Sequence, residues 1–291
     1  MGLGLIRLSA RWDQCEADGF AELDRLVEAA EGAGQHLLLT VGMKAMRWPE
    51  FYVPARLGAE MPPRGGSVSA DSVVGKAVQE QVERTVSRYR GSRALCAWQV
   101  ENEPFNRSGP SDWWLEPALV GKEVDRVRSI DGRPVVLNVF SHFSGLVDMA
   151  SRPWRSPFRS APMRALQLLQ PGDVLGVDAY VRIGRLIAGR PVTFRASWDW
   201  ALRAGLWRVM AALLGRSCWV VEAQAEPWEA TRETLAEPRT MTPLVAEEVA
   251  RSLGRWRYPV ILLWGCEYWL WQESRGNLAW LEMVGRLVET P

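Results

Sequence analysis

Apolar runs of five to eight residues recur along the chain, separated by longer stretches in which apolar positions return every three or four residues. The short runs read as buried strands at Leu5–Ala10, His36–Gly42, Ala94–Val100, Pro134–Phe140, Val174–Val181, Cys218–Glu222 and Pro259–Gly265. Between them, helical periodicity covers Phe20–Gly32, Asp71–Tyr89, Trp113–Ser129, Phe194–Leu214, Pro243–Leu253 and Leu278–Val288. Strands alternating with helices predict a parallel sheet covered by helices, and no linker interrupts the pattern, so residues 1–291 are expected to form a single α/β domain. Two connections that follow strands, Met43–Ala70 and Ser141–Leu169, are long and rich in Pro, Gly, Arg and Trp. In α/β barrels the loops after the strand C-termini build the active site, so binding is sought there; irregular packing over the mouth is the alternative.

Composition narrows the function classes. With 291 residues, 47% of them hydrophobic, the chain can bury a substantial core, and disorder is excluded. Thirty-five basic against 34 acidic residues leave a formal charge of +1, which gives no case for nucleic acid or an anionic membrane as partner. No apolar run approaches the roughly 20 residues of a spanning helix, and the start lacks the basic flank and apolar core of a secretion signal. A soluble, cytoplasmic protein is expected. Cys15, Cys96, Cys218 and Cys266 have no metal-ligand spacing and read as buried small hydrophobes, and the two histidines, His36 and His142, argue against a histidine-rich metal site, so no metal and no cofactor are implied. Tryptophan is the unusual residue, with 16 against five tyrosines and seven phenylalanines. Core packing explains many of these, but flat indole faces are also what sugar rings stack on.

Carboxylates mark the chemistry. The segment Ala97-Trp98-Gln99-Val100-Glu101-Asn102-Glu103-Pro104 ends one buried strand with two acids flanking an amide, and Trp219-Val220-Val221-Glu222-Ala223-Gln224-Ala225-Glu226-Pro227-Trp228 ends another. Two acids brought to one mouth from separate strands are what glycoside cleavage requires, one to protonate the leaving group and one to attack or steady the anomeric carbon. Salt-bridged carboxylates at loop starts are the bland alternative.

Asn102-Glu103-Pro104 resembles the Asn-Glu-Pro motif of the retaining glycoside hydrolases of clan A, the family-five-like (β/α)-barrel enzymes, and the resemblance spans nearly the whole chain. It implies a TIM (β/α)8-type barrel that cleaves β-glycosidic bonds, with Glu103 as general acid/base, Asn102 as donor to the substrate 2-hydroxyl and Glu222 as nucleophile. Glu101 and Glu226 are the competing assignments, Glu101 as a structural partner deeper in the barrel. The segment from Ile6 to Trp12 is similar to the family strand that brings an arginine beneath the nucleophile, making Arg7 the candidate for holding Glu222 anionic. Val177-Asp178-Ala179-Tyr180 resembles the strand whose tyrosine bonds the nucleophile, and Leu263-Trp264-Gly265 resembles the last strand, whose tryptophan floors the sugar site; Tyr180 and Trp264 follow. Lys44, Trp48 and Glu267 lie in segments that look like substrate-binding loops, although a buried ion pair of Lys44 or Arg47 with Glu50 reads equally well. His142, just after a strand, is a candidate sugar contact or a structural residue.

In this clan the acid/base ends the fourth strand and the nucleophile the seventh, whereas Glu103 ends the third strand here and Glu222 the sixth. The expected fold is therefore an incomplete barrel of about seven strands, with the first βα unit missing; a strand hidden in Met43–Ala70 is the alternative. Such a barrel has two open edges, at Leu5–Ala10 and Pro259–Gly265, which invite local mobility or a homodimer. A carbohydrate is the implied partner, and a non-catalytic carbohydrate-binding barrel is the alternative to an enzyme. A barrel binding a phosphorylated substrate is weaker, because no glycine-rich phosphate loop follows the last two strands.

Overall fold

A computed structural model of the protein describes residues 3–141 and 160–289. The strands are β1 (Leu5–Ser9), β2 (His36–Val41), β3 (Ser67–Val68), β4 (Leu95–Val100), β5 (Trp114–Leu115), β6 (Val135–Ser141), β7 (Val174–Ala179), β8 (Arg182–Ile187), β9 (Arg190–Arg195), β10 (Ser217–Gln224) and β11 (Ile261–Trp264). The helices are α1 (Trp12–Asp18), α2 (Ala21–Gly32), α3 (Val73–Tyr89), α4 (Pro117–Ile130), α5 (Ala161–Leu168), α6 (Trp200–Leu213), α7 (Pro243–Gly254), α8 (Cys266–Ser274) and α9 (Ala279–Glu289).

Seven strands form one sheet in the order β1-β2-β4-β6-β7-β10-β11, each following the last along the chain with helix between. This is the predicted (β/α)-barrel arrangement, incomplete at seven strands, and among the described residues β1 and β11 are the ends of the order. The segment from Met43 to Ala70 supplies no strand to it: β3 pairs only with β5, in a separate two-stranded sheet. Within this topology the described chain gathers into two compact units, residues 4–139 with 160–175, and residue 3 with 140–141 and 176–289.

In the first unit, β4 shows why a parallel strand is nearly all apolar: Leu95, Ala97, Trp98, Gln99 and Val100 are buried, because both of its faces are covered. Helix α3 begins where the Ser72 hydroxyl accepts from the Gly75 N–H at 3.0 Å, and it buries Val74, Val78, Val82 and Val86, one every turn. Burying each valine contributes roughly 1.5 to 3 kcal/mol, so an aspartate at Val82 would break the packing. Helix α4 starts on Pro117 and lays Val120, Glu123, Val124 and Val127 on its buried face. Its expected start at Trp113 is corrected, since Trp114 and Leu115 are used in the ladder to β3.

In the second unit the strand predicted to end at Glu222 continues to Gln224. The helix expected from Phe194 begins only at Trp200, because Arg190–Arg195 pairs antiparallel with Arg182–Ile187 in a hairpin. Its turn places Ala188 and Gly189 both at positive φ, the conformation of a tight two-residue hairpin loop. The segment around Glu267 is helix α8 rather than loop. Cys15 and Cys218 are buried, as expected, but Cys96 is half-buried and Cys266 exposed. Among the described residues no helix is long and apolar enough to cross a membrane.

Candidate active site

At the end of β4 the backbone leaves the sheet through two non-glycine residues in the left-handed region, Glu101 at φ 58° and Glu103 at φ 45°. Conformations of this kind cost on the order of 1 to 3 kcal/mol each and persist only where surrounding bonds fix them. Here the bonds are specific. Glu101 N–H donates to the Val41 carbonyl and Asn102 N–H to the Lys44 carbonyl, both at 2.8 Å, and Glu103 N–H donates to Asn138 Oδ1 at 2.8 Å.

Two side chains lock the loop after β2 to the loop after β4 reciprocally. The buried Glu101 carboxylate accepts from Met43 N–H at 3.0 Å and Lys44 N–H at 2.5 Å, as a structural partner beneath the loop. In return, the wholly buried Lys44 ammonium donates to the carbonyls of Glu103 at 2.8 Å and Asn106 at 3.3 Å, and pairs with Glu50 at 3.4 Å. Gly42 makes the first contact feasible: at φ 115°, its missing Cβ would stand 2.3 Å from the Glu101 carboxyl carbon. Behind Glu101 lies Glu123, also wholly buried, and the two carboxyls share a side-chain hydrogen bond that lowers Glu101 and raises Glu123, as when the protonated Glu123 donates to Glu101. Burial holds the Glu101 carboxyl at about 7, and burial together with the Glu101 charge raises Glu123 well above the ordinary range.

Asn102 is oriented by its neighbours. Arg7 Nη2 donates to Asn102 Oδ1 at 2.5 Å, and Asn138 Nδ2 donates to the same oxygen at 3.1 Å. A guanidinium has no acceptor, so this contact fixes which end of the amide is oxygen. Asn138 is itself fixed, because its oxygen accepts from Gln99 Nε2 and Glu103 N–H. The amide nitrogen of Asn102 consequently faces away from these donors, and it donates to none of the described residues. Half-buried Glu103 follows, with Asn106 Nδ2 at 3.3 Å from its Oε2. Trp48, 68% exposed, stands on the loop after β2.

In the second unit, Glu222 lies buried on β10 and accepts from the Tyr180 hydroxyl at 2.6 Å. Tyr180 is held edge-on to Trp228, with ring centroids 5.2 Å apart, and tilted on Phe140 at 5.5 Å. Glu226 accepts from Trp264 Nε1 at 2.7 Å, so this carboxylate orients the indole of the last strand. Gly265 makes room for the approach, since a Cβ there would be 2.6 Å from that of Glu226. Glu267 is exposed on α8, beside Cys266. His142 lies outside the described residues.

The structure thus joins Arg7, Asn102, Glu103 and Lys44 in one network and Tyr180 with Glu222 in another, and leaves Trp48 and Glu267 at the surface. Sequence reasoning missed Asn138, Glu123, Gln224 and Trp228. Asn138 was detectable as an amide inside an apolar strand, and Glu123 as an acid on the valine stripe of α4.

No family model matches the chain. Over 90 residues, 30% of its length, it is 33% identical to mannan endo-1,4-beta-mannosidase F of Aspergillus fumigatus and to a probable mannan endo-1,4-beta-mannosidase F of Neosartorya fischeri. The matched stretch is 19% and 18% of those proteins. Among solved structures, Gan42B, a GH42 beta-galactosidase from G. stearothermophilus, is similar with a TM-score of 0.61 at 13% identity, over 90% of this chain and 46% of that one. A beta-galactosidase from the psychrophilic Marinomonas ef1 gives 0.59 at 13% identity over 90% and 49%. A GH5_18 protein from Streptomyces cattleya, in complex with GlcNAc, gives 0.56 at 13% identity over 90% and 62%. The chain spans about half to three-fifths of the length of these three. At such identities the likeness is one of fold, that of TIM-barrel glycosidases, and it agrees with the resemblance carried by Asn102-Glu103-Pro104.

Proposed function

We propose that this protein hydrolyses β-glycosidic bonds with retention, using Glu103 as acid/base and Glu222 as nucleophile. The ionised Glu222 attacks the anomeric carbon while Glu103 gives its proton to the departing glycosidic oxygen, forming a glycosyl ester. Water then attacks the same carbon, Glu103 takes its proton, and the bond to Glu222 breaks. Tyr180 steadies the Glu222 carboxylate and shares its developing neutrality as the ester forms. Asn102 donates to the sugar 2-hydroxyl, and Trp264 and Trp48 offer indole faces to sugar rings. The carrying observation is the orientation of Asn102, next to Glu103 in the chain: its acceptor end is held by Arg7 and Asn138, which directs its donor end away from both. The local identity to mannanases makes β-mannosides the first substrates to try.

The test is turnover of aryl β-glycosides by the wild type and by Glu103→Gln and Glu222→Gln, with product stereochemistry followed by proton NMR. Loss of turnover by about a thousandfold or more in both variants is expected, with the β-anomer released first by the wild type. Unchanged turnover in either variant, or release of the α-anomer, would overturn the mechanism. Glycan binding without turnover would favour the non-catalytic alternative.

A further inference from the structure

A cavity of about 270 Å³ opens where the β8–β9 hairpin, the start of α6 and helix α7 meet, and it is lined by Arg182, Arg195, Ser197, Trp198, Trp200 and Glu248 among others. Its walls are fixed. Gln224, two residues beyond Glu222 on β10, accepts from the N–H groups of Val181 and Arg182 at 2.9 Å each and donates to the Arg182 carbonyl at 2.7 Å. The hairpin is anchored again where Gly184 N–H donates to the Trp228 carbonyl at 2.6 Å, and the loop opposite is tied by Ala196 N–H to the Val181 carbonyl at 2.8 Å.

The lining is electrically unbalanced. Arg182 and Arg195 are directly opposite on the antiparallel ladder, where like charges destabilise. Among the described residues neither guanidinium makes an ion pair or a side-chain hydrogen bond. Among the described residues Glu248 is the one carboxylate of the lining, and it forms a salt bridge with neither arginine although its charge acts on Arg182. Partial burial and the Arg195 charge pull Arg182 below its ordinary value, and the opposing charge of Glu248 offsets them only in part. Asp199, next along the chain, is engaged by the Ser197 hydroxyl. Trp198 is 93% exposed, an indole left in water beside two cations.

We propose that this cavity binds a carboxylate-bearing sugar ring, with Arg182 and Arg195 taking the carboxylate and Trp198 the ring face. It rests on the glycan-cleaving reading only in that the site would then sit beside the bond cleaved, since the β7 end that carries Tyr180 continues directly into Val181 and Arg182. Two guanidiniums across a ladder suit the forked geometry of a carboxylate, and an indole suits a flat ring. The volume, a little below the roughly 300 Å³ at which small-molecule pockets begin, suits one ring rather than several.

The test compares cellobiouronic acid with cellobiose, which differ in one carboxylate, by calorimetric titration of the Glu222→Gln variant so that neither ligand is consumed. At low salt the acid is expected to bind about tenfold more tightly, the effect of a partly exposed charge pair. The preference should fall to within about twofold in Arg182→Gln and Arg195→Gln, and shrink at about 0.5 M salt as screening increases. Equal affinity for the two disaccharides, a preference that survives both arginine substitutions, or inorganic sulfate binding as tightly as cellobiouronic acid would each overturn the proposal. Cleavage of a neutral aryl glycoside by Arg195→Gln is scored separately. A preference for the acid in a protein without turnover would sink the hydrolase reading alone, and turnover without the preference would sink the pocket alone.

Discussion

Replacing Glu123 by glutamine is expected to remove much of the dependence of stability on pH between about 6 and 8. Burial is the largest reason that both Glu101 and Glu123 hold their protons beyond the ordinary value of 4.5, and the Glu101 charge adds to it at Glu123. A carboxyl with a raised folded pKa keeps its proton in the native state after the unfolded chain has released it. Its favourable contribution is therefore complete below the unfolded value and is lost as the pH rises through the folded one. Each proton held only by the native state costs about 1.4 kcal/mol of stability per pH unit, so one such carboxyl costs about 3 kcal/mol over two units. Glutamine keeps the shape and carries no proton to lose, and it relieves Glu101 of an acidic neighbour. Burying an amide costs roughly 1 to 3 kcal/mol, but equally at every pH, so the slope is the diagnostic quantity and not the level.

The window is well isolated. Asp24, Glu16 and Glu247 are held below the carboxylate range, chiefly by their arginine partners, and their contributions are lost only as the pH falls through those low values. Cys15 and Cys218 are pushed by burial from 9.0 to about 12, so their contribution changes only above the window. Urea unfolding followed by tryptophan fluorescence at several pH values gives the slopes. Parallel lines for the wild type and Glu123→Gln would refute the reasoning, since the buried carboxyl would then not be holding an extra proton.

Tyr180→Phe removes the 2.6 Å bond to Glu222 while keeping the ring contacts with Trp228 and Phe140. Turnover of an aryl glycoside should fall about 10- to 100-fold, the worth of a hydrogen bond to a charged group, with unfolding free energy changed by less than about 1.5 kcal/mol. Lys44→Met takes one of two donors from the Glu103 carbonyl, which keeps Asn106 N–H at 3.1 Å, removes the donor to the Asn106 carbonyl and leaves the Glu50 carboxylate without its cation. Denaturant unfolding should show a loss of about 3 to 5 kcal/mol, partly restored by adding Glu50→Gln, and kcat should fall more than KM rises. Gly42→Ala drives a methyl into the Glu101 carboxylate at a backbone angle alanine rarely adopts, and calorimetry should show at least about 3 kcal/mol of destabilisation.

The inner strands were legible because a parallel strand buried on both faces writes its position as an unbroken apolar run; all seven appear within a few residues of the expected bounds, although β1 and β11, the ends of the order, are only partly buried. The hairpin at Arg182–Arg195 was not, since beyond the buried Ile183 and Gly184 its apolar residues Leu186, Ile187 and Val192 are exposed, and little burial is left to enforce alternation. Helix α8 was read as loop because its apolar residues run consecutively from Tyr268 to Trp271 instead of recurring every three or four positions. At the site, residues beside a motif could be named, but their partners could not. That Arg7 reaches Asn102 depends on strands packed far apart in sequence, and spacing does not encode it.

Lys44 illustrates the difference between a residue's chemistry and its use. A cation after a strand end reads as a substrate contact, yet its ammonium is wholly buried beneath the loop that carries Glu103. The reason lies in the backbone. Two acidic residues in the left-handed region on either side of Asn102 turn carbonyls away from any strand or helix ladder, and a buried carbonyl without a donor is costly. Lys44 donates to the Glu103 carbonyl beside Asn106 N–H and to the Asn106 carbonyl, Gln99 donates to that of Glu101, and Glu101 accepts the N–H groups that the opposite loop turns inward. Each loop therefore completes the hydrogen bonding of the other, and neither holds its shape alone. The orientation of Asn102 and the placement of Glu103 are consequently properties of the pair of loops, so substitutions at Gly42, Lys44 or Glu101 should reach the candidate chemistry as strongly as many substitutions within the motif itself.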